Sequence, residues 1–82
     1  MPRYYFHLHL DGTRLPDAEG QDLQDPDEAW ETARAAARDL MATDFRQPIN
    51  WFACHFEVRD EGDDVVMEFP FSEAVEIKQP PN

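Results

Sequence analysis

Residues 25–43 read DPDEAWETARAAARDLMAT, and the fold follows from how this stretch is read. Asp25 can accept a hydrogen bond from a free backbone N–H as an N-cap, Pro26 suits the first helical position, and Glu28 completes a capping-box-like pair. At about 100° per residue, Ala29, Ala33, Ala36, Ala37 and Leu40 form one stripe flanked by Trp30 and Met41. Glu31, Arg34, Arg38 and Asp39 lie on the other side. The pattern predicts one amphipathic helix that ends near Thr43, before Pro48. Its buried stripe is mostly alanine, and small side chains let a helix axis lie close to a sheet.

On both flanks of the helix the period changes to two. Residues 3–10, RYYFHLHL, place Tyr4, Phe6, Leu8 and Leu10 on one side of the pleat and Arg3, Tyr5, His7 and His9 on the other. Asp11-Gly12 is a turn signal, and the segment after it alternates poorly around Pro16 and Gly20, so a second strand is short, near Gln21 to Leu23. After the helix, residues 51–59, WFACHFEVR, predict a strand. In it Phe52, Cys54, Phe56 and Val58 face inward, and Trp51, Ala53, His55, Glu57 and Arg59 face outward. An acidic turn at Asp60 to Asp63 leads into a returning strand with Val65, Met67, Phe69 and Phe71 inward and with Pro70 at its end. Ser72 begins a last short turn toward Ile77, and residues 78–82 form a proline-rich tail.

The order strand, strand, helix, strand, strand predicts an α+β domain over residues 1–77: an antiparallel sheet of three to four strands with one helix on one face. The other face is left open. Eighty-two residues suffice for one hydrophobic core, and a 41% apolar composition means that the net charge of −11 decorates a folded globule. Such a surface repels phosphate and gains nothing from counterion release, so nucleic acid and anionic membranes are not expected partners, whereas a basic protein is. One cysteine, Cys54, cannot form an internal disulfide, and no apolar run reaches the roughly 20 residues that a membrane-spanning helix needs, so a cytoplasmic protein is expected.

With the elements placed, the chain resembles a family of short uncharacterised bacterial proteins, a domain of unknown function whose members open with Pro-Arg-Tyr-Phe-Phe-His. Here the opening reads Pro2-Arg3-Tyr4-Tyr5-Phe6-His7, with tyrosine at position 5 in place of the usual phenylalanine. Similar features follow in Asp11-Gly12, Asp17 to Gly20, Leu23, the alanine-rich helix, Phe56-Glu57-Val58, and Phe69-Pro70-Phe71-Ser72. The resemblance implies no activity, ligand or cofactor.

The residues with chemical potential gather on the open face. His7 and His9 share one side of their strand with Cβ atoms about 7 Å apart, and His55 faces the same way on the third strand. With Glu57 nearby, three imidazoles could hold zinc with one position open, although the spacing matches no established zinc motif. Tyr5 and Trp51 add large aromatics to that face, which suits burial against a second copy of the chain. Asp60, Glu61, Asp63 and Asp64 lack the alternating ligands of a calcium loop and read as a solvated hairpin turn. Cys54 points away from His55, which excludes a nucleophile and base pair between them. No glycine-rich phosphate loop, serine elbow or paired-cysteine motif is present, so no cofactor is expected. Two functional readings result. The first is a small interaction or regulatory protein, homodimeric through Tyr5, His7, His9, Trp51, His55 and Glu57. The second is a small metal-dependent or acid-base enzyme using His7, His9 and His55.

Overall fold

A computed structural model of the chain describes residues 1–43 and 49–74. Period-two alternation produces β1 (Arg3–Leu10), β4 (His55–Arg59) and β5 (Val65–Pro70), while β2 (Thr13–Leu15) and β3 (Gln21–Asp22) are short; α1 spans Pro26–Met41. All pairings are antiparallel, in the order β2-β1-β4-β5. β3 pairs with Arg3 and Tyr4, and β2 with Leu8 to Leu10, so the two follow one another along one edge of β1. The domain is α+β as expected, with the helix between the two strand groups.

Asp25 starts α1 as its N-cap, its Oδ1 accepting from the Glu28 N–H at 2.8 Å, while Glu28 reaches back to accept from the Gln24 N–H. Ala29, Ala33 and Ala37, spaced four apart, are fully buried. They pack toward a core of Tyr4, Phe6, Leu23, Phe56, Val58, Phe69 and Phe71. Arg38 closes the other end by donating from Nε to the Ala74 carbonyl oxygen at 2.8 Å, which ties the helix to the 3₁₀ turn Phe71–Ala74.

Three details depart from the alternation. First, β2 occupies Thr13–Leu15, where no strand is predicted, because Gly12 at φ +80 lets the chain fold straight back on β1. Second, Trp51–Ala53 is a 3₁₀ turn and not the start of a strand. The Ala53 N–H donates to Asn50 O and the Cys54 N–H to Trp51 O, and the Trp51 ring stacks on Phe71 at 5.5 Å with 4° between planes. Trp51 therefore packs against the core cluster, and Phe52, expected inward, is 75% exposed. Third, a β-bulge between Val58 and Arg59 pairs Val58 with Met67 but Arg59 with Val65. The extra residue moves Val65, expected inward, to the other face beside Arg59. The turn predicted from Ser72 is present as far as Ala74, within the 3₁₀ turn Phe71–Ala74, while its continuation to Ile77 and the tail at 78–82 lie outside the described residues.

β5 is an edge strand, and its chemistry discourages further pairing. The Phe71 N–H donates to Cys54 O, so alternate residues Phe69 and Met67 turn their backbone groups to β4, while Glu68 and Pro70 turn theirs outward. Pro70 has no N–H to offer there, and Glu68 adds charge. Among the described residues no helix is long and apolar enough to cross a membrane.

Candidate functional site

Residues directly opposite one another in a ladder share a face, so the register lays out the side of the sheet away from α1 row by row. Arg14, His9, His55 and Pro70 form one row; His7, Glu57 and Glu68 the next; Tyr5, Arg59 and Val65 the third. Five of the six residues expected on this face are there together: Tyr5, His7, His9, His55 and Glu57. Trp51 is the exception, held in its 3₁₀ turn against Phe71.

Glu57 is the centre of the arrangement. It is only 7% exposed because three side chains close over it. His9 Nε2 lies 2.6 Å from Oε1, Arg14 Nε lies 3.5 Å from the same oxygen, and Arg59 Nε donates to Oε2. The hydrogen bond from His9 is the strongest influence on the Glu57 carboxyl; burial opposes it, and Arg59 and Arg14 add to it, leaving the carboxyl lowered to about 2. Glu57 in turn raises the Arg59 guanidinium, whose Nη1 also donates to Asp63 O at 2.6 Å and so fastens the hairpin turn to the cluster. Since the ionised carboxylate only accepts, His9 carries its proton on Nε2. The His9 ring stacks on His55 at 4.3 Å with 7° between planes.

His7 has a different neighbour. It is 9% exposed, and its Nδ1 accepts from the Asp17 N–H at 3.0 Å, so in the neutral ring the proton is on Nε2. Asp17 sits where the ladder breaks between β2 and β3 and replaces the missing strand. Its Oδ2 accepts from the Phe6 N–H at 3.1 Å, and its Oδ1 accepts from Glu19 and Gly20 at 3.1 and 3.2 Å. Burial pushes this carboxyl up, but the backbone N–H groups of Phe6, Gly20 and Glu19, with His7 adding a smaller pull, hold it below its ordinary value. Gly20 beside it has φ +71, and a Cβ there would stand 2.9 Å from Tyr4 O, so the loop can lie this close to β1 only with glycine. Asp17→Ala removes the acceptor of these three N–H groups and is expected to cost about 1–2 kcal/mol, read by urea denaturation, with Asp17→Asn retaining part of the loss.

The geometry changes what the histidines can do. His7 spends the Nδ1 lone pair on Asp17, His9 spends its Nε2 on Glu57, and His9 stacks on His55. Among the described residues no three His, Cys, Asp or Glu side chains are grouped to hold a metal ion. In the hairpin turn, Asp60 Oδ1 accepts from the Gly62 and Asp64 N–H groups at 2.9 and 3.1 Å, and Asp63 takes the left-handed conformation at φ 64. These carboxylates shape a turn. Cys54 is buried beneath the other face, where desolvation raises its thiol, and it donates to Asn50 O at 3.4 Å. Among the described residues, two cavities lie apart from the cluster. One of about 160 Å³ is lined by Met41, Trp51, Phe52, Phe71 and Ser72, the other of about 300 Å³ by Leu10, Asp11, Thr13, Ile49 and Asn50.

Sequence reading does not find the roles of Arg14, Arg59 and Asp17. Arg14 is hidden because its strand is three residues long. The available signals are the Asp11-Gly12 turn, which places residue 14 opposite residue 9 in a two-residue hairpin, and the charged residues at 57 and 59 on one strand face.

The fold and the site together define a small α+β domain, with an alanine-faced helix on one side of an antiparallel sheet and an arginine- and histidine-gripped carboxylate on the other. The chain belongs to the family described as a domain of unknown function (DUF6894), whose model matches residues 3–72. No curated protein and no solved structure is significantly similar to it.

Proposed function

We propose that the domain is a small acidic interaction module that acts as a homodimer, its subunits meeting through the sheet face of Tyr5, His7, His9 and His55. The observation that carries this reading is the asymmetry of the two sheet faces. α1 covers one, whereas Tyr5, His9, His55 and Val65 on the other remain partly or largely exposed. A domain of this size gains a larger shared core by burying such a face against itself. The acidic loops around Glu19 to Asp27 and Asp60 to Asp64 then stay exposed for a basic protein partner in the cytoplasm, and nucleic acid is disfavoured by the net charge of −11.

Light scattering of the purified chain at high micromolar concentration tests the reading. A dimer mass is the expected result, and a monomer at that concentration overturns it. An acid-base enzyme is the second reading, and it rests on the His9–Glu57 hydrogen bond, which leaves His9 Nδ1 as the available base. It has the weaker support, because the one thiol of the chain, Cys54, lies on the opposite face and His55 stacks on the ring that would act.

A further inference from the structure

The open face is unequal from edge to edge. Arg3, Arg14 and Arg59 are three of the seven Lys and Arg residues of an acidic chain, and they share this face with all three histidines. Arg14 stands at the β2 edge with 44% of its side chain exposed, and Glu68 stands exposed at the β5 edge, one row away. Between them the two central strands are in direct register: Tyr5 opposite Arg59, His7 opposite Glu57, His9 opposite His55.

From this pattern, and resting on the homodimer reading above, we infer that two copies pack face to face about a two-fold axis running parallel to the strands, between β1 and β4, with Arg14 of each copy paired to Glu68 of the other. Such an axis exchanges β1 with β4. It therefore sets each residue of one central strand over its own in-sheet neighbour in the partner subunit. Tyr5 lies over Arg59 of the partner subunit, a ring and a guanidinium that attract one another. His7 lies over Glu57 of the partner subunit, and His9 over the partner subunit's His55. The same exchange carries the β2 edge over the β5 edge. Sheets in such packing lie about 10 Å apart, and one row is about 7 Å along the strand, a diagonal within the combined reach of arginine and glutamate side chains. A two-fold axis across the strands, along the row of His7, Glu57 and Glu68, does the opposite. It sets β5 over β5 and brings Glu68 toward Glu68 of the partner subunit, a like-charge contact that costs affinity.

Each contact occurs twice in the dimer, so charge reversal acts twice. Arg14→Glu and Glu68→Arg are each expected to raise the dimer dissociation constant about tenfold or more in sedimentation equilibrium, and the double variant to return close to the wild-type value. Arg14 also contacts Glu57, so a cross-link that requires no charge reversal serves as the second measurement. Arg14→Cys protein mixed with Glu68→Cys protein is treated with a short bis-maleimide, and a covalent heterodimer is expected. Within one chain these positions are separated by β1 and β4, about 14 Å at the usual strand spacing. A wild-type monomer overturns the homodimer reading and this inference with it. A wild-type dimer that is indifferent to both reversals, or whose cysteine variants give no mixed cross-link, overturns the axis and the Arg14–Glu68 pairing while leaving the dimer standing.

Discussion

Glu57→Gln is expected to lower the unfolding free energy at pH 7 by about 2 kcal/mol and to remove part of the wild-type sensitivity to acid. The wild-type carboxyl is lowered from 4.5 to about 2, first by the hydrogen bond from His9 against the cost of burial, then by Arg59 and Arg14. Folding therefore favours the ionised form. The resulting stability is fully present above about pH 4.5 and is lost as the pH falls through about 2, where the folded carboxyl also takes up a proton. The full depression corresponds to about 3 kcal/mol, but the side chains of Arg14 and Arg59 are 44% and 27% exposed, so water screens their share and about 2 kcal/mol remains. Glutamine keeps the shape and part of the hydrogen bonding while losing the charge. Urea denaturation of both proteins between pH 7 and pH 2.5 checks this, since the gap between them narrows on acidification. A gap that stays constant over that range removes the ion cluster as its cause.

Phe69→Ala carries the largest expected loss of stability, about 3–5 kcal/mol. The Phe69 side chain is fully buried, sits opposite Phe56 in the ladder, and meets Trp30 edge-on with ring centroids 4.5 Å apart. It is thus one contact through which β5 holds the helix. Ala29, Ala33 and Ala37 of α1 are too short to reach into the void, so much of the cavity persists. In a domain of this size each kcal/mol moves the melting temperature by about 4–8 °C, so the variant melts at least about 12 °C lower or is unfolded at room temperature. Circular dichroism on heating measures the change. Phe52→Ala, at a position 75% exposed, is the control and is expected to stay within about 0.5 kcal/mol of wild type.

The helix was legible because its signals are local. Asp25, Pro26 and Glu28 act within one turn, and the 3.6-residue period of the alanines needs no knowledge of what they touch. β1 and the core of β4 were legible for the same reason: alternation places Tyr4, Phe6, Phe56 and Val58 on one side whatever the strand order. Alternation failed where a non-local contact outweighed it. Trp51 left its strand for the face of Phe71, twenty residues away in the chain, and Val65 changed face because one extra residue entered the ladder opposite Val58 and Arg59.

For the site the division is sharper. Period two within each strand, together with the apolar residues on the opposite side of both, determined that Tyr5, His7, His9, His55 and Glu57 share a sheet face. Which of them interact is a matter of register, and register is set by turns and pairings between segments that lie up to about fifty residues apart. The tertiary structure alone decided that His9 faces His55 and reaches Glu57, that Arg14 crosses from β2 to the same carboxylate, and that Asp17 fills a gap in the ladder and takes up His7. An imidazole exposed on a strand and an imidazole committed to a buried carboxylate have the same sequence signature. They differ only in the neighbouring strand.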